Sequence, residues 1–267
     1  MNRLQGKRVL LTGASGGIGR AVLKQLSASG AEVVITGRDQ QRLKMLAADA
    51  PEQIQTFAAD LTDTANLDAL LLFCQQQGGI DVLINNAGIS QFSAATGQQL
   101  TALINTNLLA PVLLTQLFLP MLKQCNGTIL NVGSTFGSIG YAGFTGYCAA
   151  KFGLRGYTEA LQRELADTDM RVLYLAPRAT DTAINNAAVK ALNRTLKQGV
   201  DTPEQVANAL IEQLLSGKKR RFLGTAENIF VRLNALFPSV VDNALGGKLK
   251  QIKQHFIGTG VKNSAEV

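Results

Sequence analysis

Arg8-Val9-Leu10-Leu11-Thr12-Gly13-Ala14-Ser15-Gly16-Gly17-Ile18-Gly19-Arg20-Ala21-Val22-Leu23-Lys24-Gln25-Leu26 decides how this 267-residue chain folds. A short apolar run, Arg8 to Thr12, leads into a glycine turn and then into a helical pattern from about Ile18. Strand, glycine turn and helix in that order open a βαβ unit. Helix N-termini leave backbone N–H groups unpaired, and glycines let an anion come close to them, so the turn suits the pyrophosphate of a dinucleotide. The pattern continues. Apolar strands are expected at Glu32 to Thr36, in the segment reaching Phe57, and at Ile80 to Ile84, Gly127 to Val132, Met170 to Leu175 and Phe222-Leu223, with helical spacing between them.

A second stretch, Asn131 to Lys151, brings together a hydroxyl, a phenol and an amine. Tyr147 and Lys151 stand four residues apart in a helix-forming segment, so their side chains project from one face about a turn apart. A free phenol titrates near ~10, and a neighbouring ammonium is expected to lower that value. Ser134, at the end of an apolar strand, is placed to hydrogen-bond an oxygen on which charge develops.

With these residues in this order, the chain resembles the short-chain dehydrogenase/reductase family in its single-domain form. The likeness covers roughly residues 5 to 216 and rests on Thr12 to Gly19 with its G-x-x-x-G-x-G spacing, Asn85-Asn86-Ala87-Gly88, and Ser134 thirteen residues before Tyr147. The resemblance implies an α/β fold, a Rossmann-like doubly wound parallel sheet of about seven strands, with hydride transfer between a nicotinamide cofactor and a carbonyl/alcohol pair. It implies a catalytic set of Asn107, Ser134, Tyr147 and Lys151, with Asn107 preferred over Asn105 for holding a water between the lysine and solvent. Tyr147 would donate the proton, and Lys151 would also bond the nicotinamide ribose. Gly13, Ser15, Gly17, Ile18 and Gly19 would meet the pyrophosphate, and Asn86, Ala87 and Gly88 would lie against the cofactor. Asp60 and Leu61 would sit near the adenine, and Pro177 and Thr182 near the nicotinamide.

Three positions carry more than one reading. Past the second strand, Arg38, with Arg42 a turn later, favours a 2′-phosphate and hence NADP(H), while Asp39 would favour a free ribose if its carboxylate turned that way. Asp60 suits either an adenine contact or, with Thr62 and Asp63 as the other candidates, the N-cap of the next helix. Arg178 stands where most family members have glycine, and it either narrows the nicotinamide pocket, reaches a cofactor phosphate or points to solvent.

Composition bounds the rest. With 46% hydrophobic and 17% charged residues, the chain reads as an ordinary globule with an ample core. Cys74, Cys125 and Cys148 lack pair spacing, which fits reduced thiols in a cytoplasm and gives no metal site. The one histidine, His255, lies far from every glycine motif, against a Ser-His-Asp hydrolase. Met1 to Arg8 enters the first strand with no room for a signal peptide, and Leu108 to Leu122 is expected to be a buried helix too short for a bilayer.

Charge collects at the C-terminus: residues 217–262 hold nine Lys and Arg against Glu227 and Asp242, a net +7 that equals the whole chain's. Two apolar stripes are expected there, Ile229, Leu233 and Leu236 with Phe230 and Phe237, then Leu245, Leu249, Ile252 and Phe256, separated by Pro238. The organisation read from this is a single NADP(H)-binding domain over 1–223 and a basic amphipathic helical extension over 224–267. The extension packs on the domain, lines an apolar cleft or makes peripheral membrane contact. Four consecutive cations at 218–221 suit a solvated strand edge, and no nucleic-acid motif accompanies them.

The expected activity is carbonyl reduction on a small apolar substrate, with a homo-oligomer formed through the 108–122 and 145–166 helices. Ile89, Gln91, Phe92, Phe136, Tyr141, Phe144 and residues 183–199 are the expected substrate surface. The alternatives are an epimerase or dehydratase of the extended branch, and a peripheral membrane or regulatory NADP-binding protein with little turnover.

Overall fold

The computed structural model describes residues 4–93 and 95–256. Its strands are β1 (Arg8–Thr12), β2 (Glu32–Gly37), β3 (Ile54–Ala58), β4 (Val82–Asn85), β5 (Thr128–Val132), β6 (Arg171–Ala176) and β7 (Arg220–Phe222). They form one sheet in the order β3-β2-β1-β4-β5-β6-β7, every neighbouring pair parallel. Chain direction across the sheet reverses between β1 and β4, which leaves a crevice at the carboxyl ends of those two strands.

Helices cover both faces. They are α1 (Gly17–Ala28), α2 (Gln40–Ala47), α3 (Thr64–Gln76), α4 (Gly97–Ile104), α5 (Ala110–Gln124), α6 (Thr145–Glu164), α7 (Ala187–Thr195), α8 (Pro203–Ser216), α9 (Thr225–Leu236), α10 (Pro238–Gly246) and α11 (Leu249–Gln254). Alternation along β1 sorts the core into two layers. Val9 and Leu11 join Val22 and Leu26 of α1 and Val206 and Leu210 of α8, whereas Leu10 joins Leu70 of α3, Leu114 and Phe118 of α5, and Leu161 of α6. Thr202 closes a capping box on α8 with Pro203 in the first turn, as the sequence suggests.

Several expectations change. Asp63, not Asp60, caps α3. The last strand is Arg220–Phe222 rather than Phe222-Leu223, so Arg220 and Arg221 belong to the sheet edge. The Leu108 to Leu122 helix is part of a longer helical run, Gly97–Gln124, whose 28 residues are long and apolar enough to cross a membrane by length and composition. Here that run is partly buried: Leu114, Thr115, Phe118 and Leu122 lie fully buried under the sheet, whereas Leu100, Leu109 and Leu113 are exposed.

The tail is three helices rather than two, because Gly246-Gly247 ends α10 and breaks the second stripe. Val231, Val241 and Ile252 are its buried residues, whereas Ile229, Leu236 and Phe237 are exposed. Lys262 and the rest of 257–267 lie outside the described residues.

Candidate active site

Helix α6 carries Tyr147 and Lys151 on one face, and β5 ends just before Ser134, which caps a short 3-10 turn, Thr135–Gly137. The Ser134 hydroxyl accepts from the Phe136 N–H at 3.1 Å and shares a side-chain hydrogen bond with Tyr147. Lys151 is buried and donates from Nζ to the Val132 carbonyl at 2.9 Å, with Nζ 5.8 Å from the Tyr147 ring centroid. Between α4 and α5 the helix widens into a π segment, Asn105–Leu109. The widening presents Asn107 to the backbone of Ile89, whose N–H it accepts at 2.9 Å and whose carbonyl receives its amide at 2.8 Å. Asn107 is fully buried and lines the cavity, which separates it from its half-buried neighbour Asn105. A Cβ on Gly88 would stand 2.8 Å from Asn107 Oδ1, so glycine is what lets this loop pass the asparagine, with Lys151 Nζ at an ordinary 3.8 Å.

The electrostatics correct one expectation. The Tyr147 phenol is pushed up to about 12, chiefly by burial, with the Ser134 hydrogen bond pulling the other way. Lys151 is held down at about 8 by its own desolvation. The Lys151 ammonium, bonded to a carbonyl and itself stripped of water, is not among the groups that lower the phenol.

The cofactor residues expected from sequence follow the crevice. Gly13 (φ +67) has Ala87 Cα 2.7 Å and Asn86 Nδ2 3.1 Å from where a Cβ would be. Asn86 donates to the Thr12 and Gly13 carbonyls at 3.0 and 3.1 Å, tying the glycine turn to β4. Helix α1 begins without any side-chain cap. A Cβ on Gly17 would lie 2.6 Å from Thr182 Cγ2, so the segment after β6 closes over the turn. Thr182 Oγ1 is buried there with no hydrogen-bond partner. An uncapped helix start, a glycine cradle and an orphaned hydroxyl are a set that a dinucleotide would satisfy.

Farther out, Asp39 caps α2 by accepting from the Arg42 N–H at 3.0 Å, and Arg42 Nη2 donates to the Ser15 carbonyl at 3.1 Å. Arg38 is exposed beside Asp60, whose carboxyl is held below the usual range first by hydrogen bonds from Thr62 and also by the Arg38 charge. Leu61 packs on the α3 side of the core.

A cavity of about 410 Å³ joins the two halves. Ile18, Asn86, Gly88, Pro177 and Thr182 line it beside Ser134, Tyr147, Lys151 and Asn107, whereas Gly13, Ser15, Gly17, Gly19, Arg38, Asp60, Leu61 and Ala87 lie outside its lining. Phe136, Tyr141 and Phe144 form its aromatic wall; Phe136 stacks on Tyr141 at 4.8 Å.

A model of the short chain dehydrogenase family matches residues 7–193. The chain belongs to that family. The 3-oxoacyl-[acyl-carrier-protein] reductase FabG of Thermotoga maritima is 34% identical over 222 residues, covering 78% of this chain and 90% of that one. D-beta-hydroxybutyrate dehydrogenase of Cupriavidus necator is 32% identical over 223 residues, 80% and 86% of the two chains. A short-chain dehydrogenase structure from Streptomyces avermitilis superposes with a TM-score of 0.78 at 28% identity, covering 94% of this chain and 99% of that one. This short-chain dehydrogenase is therefore an oxidoreductase that uses a nicotinamide cofactor for hydride transfer on a carbonyl/alcohol pair.

Other positions in the dehydrogenase differ from the sequence reading. Arg178 lines the cavity, and rather than pointing to solvent its guanidinium is clamped to Asp201 at 2.7 Å and to Glu227 at 3.5 Å, joining the segment after β6 to α9. Phe92 sits behind the wall, its ring 5.1 Å from Phe144 and 5.4 Å from Phe256, and Ile89 and Gln91 lie outside the lining. Tyr141 lines the cavity as expected, and its phenol oxygen accepts from Gln198 at 3.0 Å.

Sequence reasoning left the lining of an apolar cleft as one of three roles for the tail, which Phe230 and Leu245 fill, and it missed Ile139 and Lys248 on the lining. It also missed the buried chain Thr115–Asn85–Asn131–Thr158, at 3.0, 2.8 and 2.9 Å, that ties α5 to α6 through β4 and β5. Polar residues inside apolar strands were the available signal.

Proposed function

We propose that the chain is an NADP(H)-dependent carbonyl reductase acting on an apolar ketone, aldehyde or acyl derivative. One observation carries the cofactor choice: Asp39 is committed to capping α2, while exposed Arg38 and the Ser15-bound Arg42 leave the rim beyond β2 cationic. A 2′-phosphate suits that rim better than a bare ribose. Gly13, Ser15, Gly17, Ile18 and Gly19 would hold the pyrophosphate, Asp60 and Leu61 the adenine side, and Asn86, Ala87, Gly88, Pro177 and Thr182 the nicotinamide half. When bound, the cofactor supplies the hydride.

The chain's own groups do the rest. Ser134 and Tyr147 hold the substrate oxygen, and Tyr147 passes its proton to that oxygen as the carbonyl carbon is reduced. Lys151 bonds the nicotinamide ribose and steadies the phenolate left behind. Asn107, locked onto Ile89, fixes the helix that faces Lys151. The aromatic wall of Phe136, Tyr141 and Phe144 excludes water and favours an apolar body on the substrate.

In the proposed organisation, 1–223 forms the cofactor-binding domain and 224–267 is an extension that contributes to the substrate side. A cytoplasmic location is the reading that unpaired Cys74, Cys125 and Cys148 support. Exposed Leu109, Leu113 and Phe152 favour self-association through α5 and α6, and exposed Ile229, Leu236, Phe237 and Val240 near Arg232 favour peripheral contact of the tail with an anionic membrane.

Titration with NADPH and NADH, for wild type, Arg38→Ala and Tyr147→Phe, tests the main reading. NADPH should bind at least ~10-fold more tightly than NADH, a preference Arg38→Ala removes. Tyr147→Phe should bind NADPH normally while NADPH oxidation with apolar ketones disappears. Equal affinity for the two cofactors would return the ribose contact to Asp39, and turnover surviving in Tyr147→Phe would sink the proton-donor role.

A further inference from the structure

The cavity lining carries cations that hydride transfer does not use. At its inner end Lys151 is buried, and its ammonium is engaged by the Val132 carbonyl. The middle is apolar, walled by Tyr141, Phe144, Val189, Leu192 and Leu245. At the rim stand Lys197 and Lys248, one exposed and one half-buried.

These two lysines come from different elements on the same side of the cleft. Lys197 follows α7, Lys248 precedes α11, and those helices pack together with Thr195 bonded to His255 at 3.1 Å. Leu196 and Leu245 rest against one shared apolar cluster, which brings the two neighbouring cations to one edge of it.

Neither lysine has an acidic partner among the described residues. Glu227 is the one carboxylate on the described lining, and Arg178 already holds it at 3.5 Å. The uncompensated charge at the mouth is therefore positive. Lys197 also adopts a left-handed backbone, φ 51, where glycine is the usual helix-ending residue. A cation near a helix C-terminus is favourable, but a side chain in that conformation is strained where glycine would not be.

We infer that the substrate is an anionic amphiphile: an apolar chain lies along the aromatic and aliphatic wall, and a carboxylate or phosphate at its far end is received by Lys197 and Lys248. This deepens the carbonyl-reductase reading and rests on it for the position of the reacting carbon. Charge at an exposed rim contributes modestly per pair, so the expected gain is about tenfold in affinity rather than thousands.

Calorimetric titration of the NADP⁺-loaded protein with octanol, octanoate and octyl phosphate tests the site. At least one anion should bind ~10-fold more tightly than octanol. The double variant Lys197→Gln/Lys248→Gln should lose that preference while its octanol affinity stays unchanged. Preference for both anions marks a general charge site, and preference for octyl phosphate alone marks a phosphate-bearing substrate. Equal binding of all three by wild type, or a preference that survives in the double variant, overturns the inference. The anion preference is read from binding and the reductase reading from NADPH oxidation with apolar ketones, so each can fail without the other.

Discussion

Lys151 is the residue at which folding and function pull against each other. Burial lowers it from 10.5 to about 8, so the folded chain carries a penalty of about 3 kcal/mol whenever that ammonium is protonated. Below pH 8 the folded and unfolded chains both hold the proton and the penalty is complete. Between pH 8 and 10.5 only the unfolded chain holds it, so stability rises with pH. Tyr147 acts oppositely and higher, between 10 and about 12, where the folded phenol keeps a proton the unfolded one has lost.

Denaturant unfolding at pH 7.5 and 9.5 should therefore show wild type gaining about 2 kcal/mol relative to Lys151→Met. A constant difference between the two proteins would mean that the lysine is solvated. Tyr147, Lys151 and Ser134 were all legible from their spacing, but the direction of the phenol's shift was not. Spacing says which groups are neighbours, and desolvation depends on everything else packed around them.

At the scale of elements, the segment from β6 to α8 is fastened by Arg178. Its partner Asp201 is buried, its second partner Glu227 begins α9, and Thr180 forms an isolated bridge with Asp201. Arg178→Ala would leave the Asp201 carboxylate without its cation, at a cost of about 1–3 kcal/mol. The loosened segment should be cut sooner by protease within 183–199. A lowered melting temperature, faster nicking there and a raised KM for the carbonyl substrate, with NADPH affinity little changed, is the expected pattern. Wild-type melting and proteolysis would show that the clamp holds nothing. The residue stood out in the sequence only as a missing glycine; its partners lie 23 and 49 positions away and could not be read from it. The π segment around Asn107 was equally hidden, since one extra residue in a helical turn leaves the apolar period almost intact.

Over the whole molecule, two exposed apolar surfaces make separable predictions. Leu100, Leu109, Leu113 and Phe152 belong to the packed α4, α5 and α6 region, and Ile229, Leu236, Phe237 and Val240 belong to the tail. Sedimentation velocity, with and without anionic phosphatidylglycerol vesicles, reads both. Phe152→Glu should reduce a dimeric or larger wild type to monomer and leave vesicle binding alone. Phe237→Glu should abolish pelleting with vesicles and leave the mass unchanged. A monomeric wild type, or one that ignores vesicles, removes the corresponding role.

The succession of strands and helices along the chain, the glycine turn and the spacing of Ser134, Tyr147 and Lys151 follow from the sequence alone, because each depends on local patterns that a period of two or 3.6 residues makes visible. Only the tertiary structure decided that Arg178 is a clamp and that tail residues Phe230, Leu245 and Lys248 line the cavity. Those outcomes turn on contacts between segments far apart in the chain, where burial and charge pairing are set by geometry that no local pattern encodes.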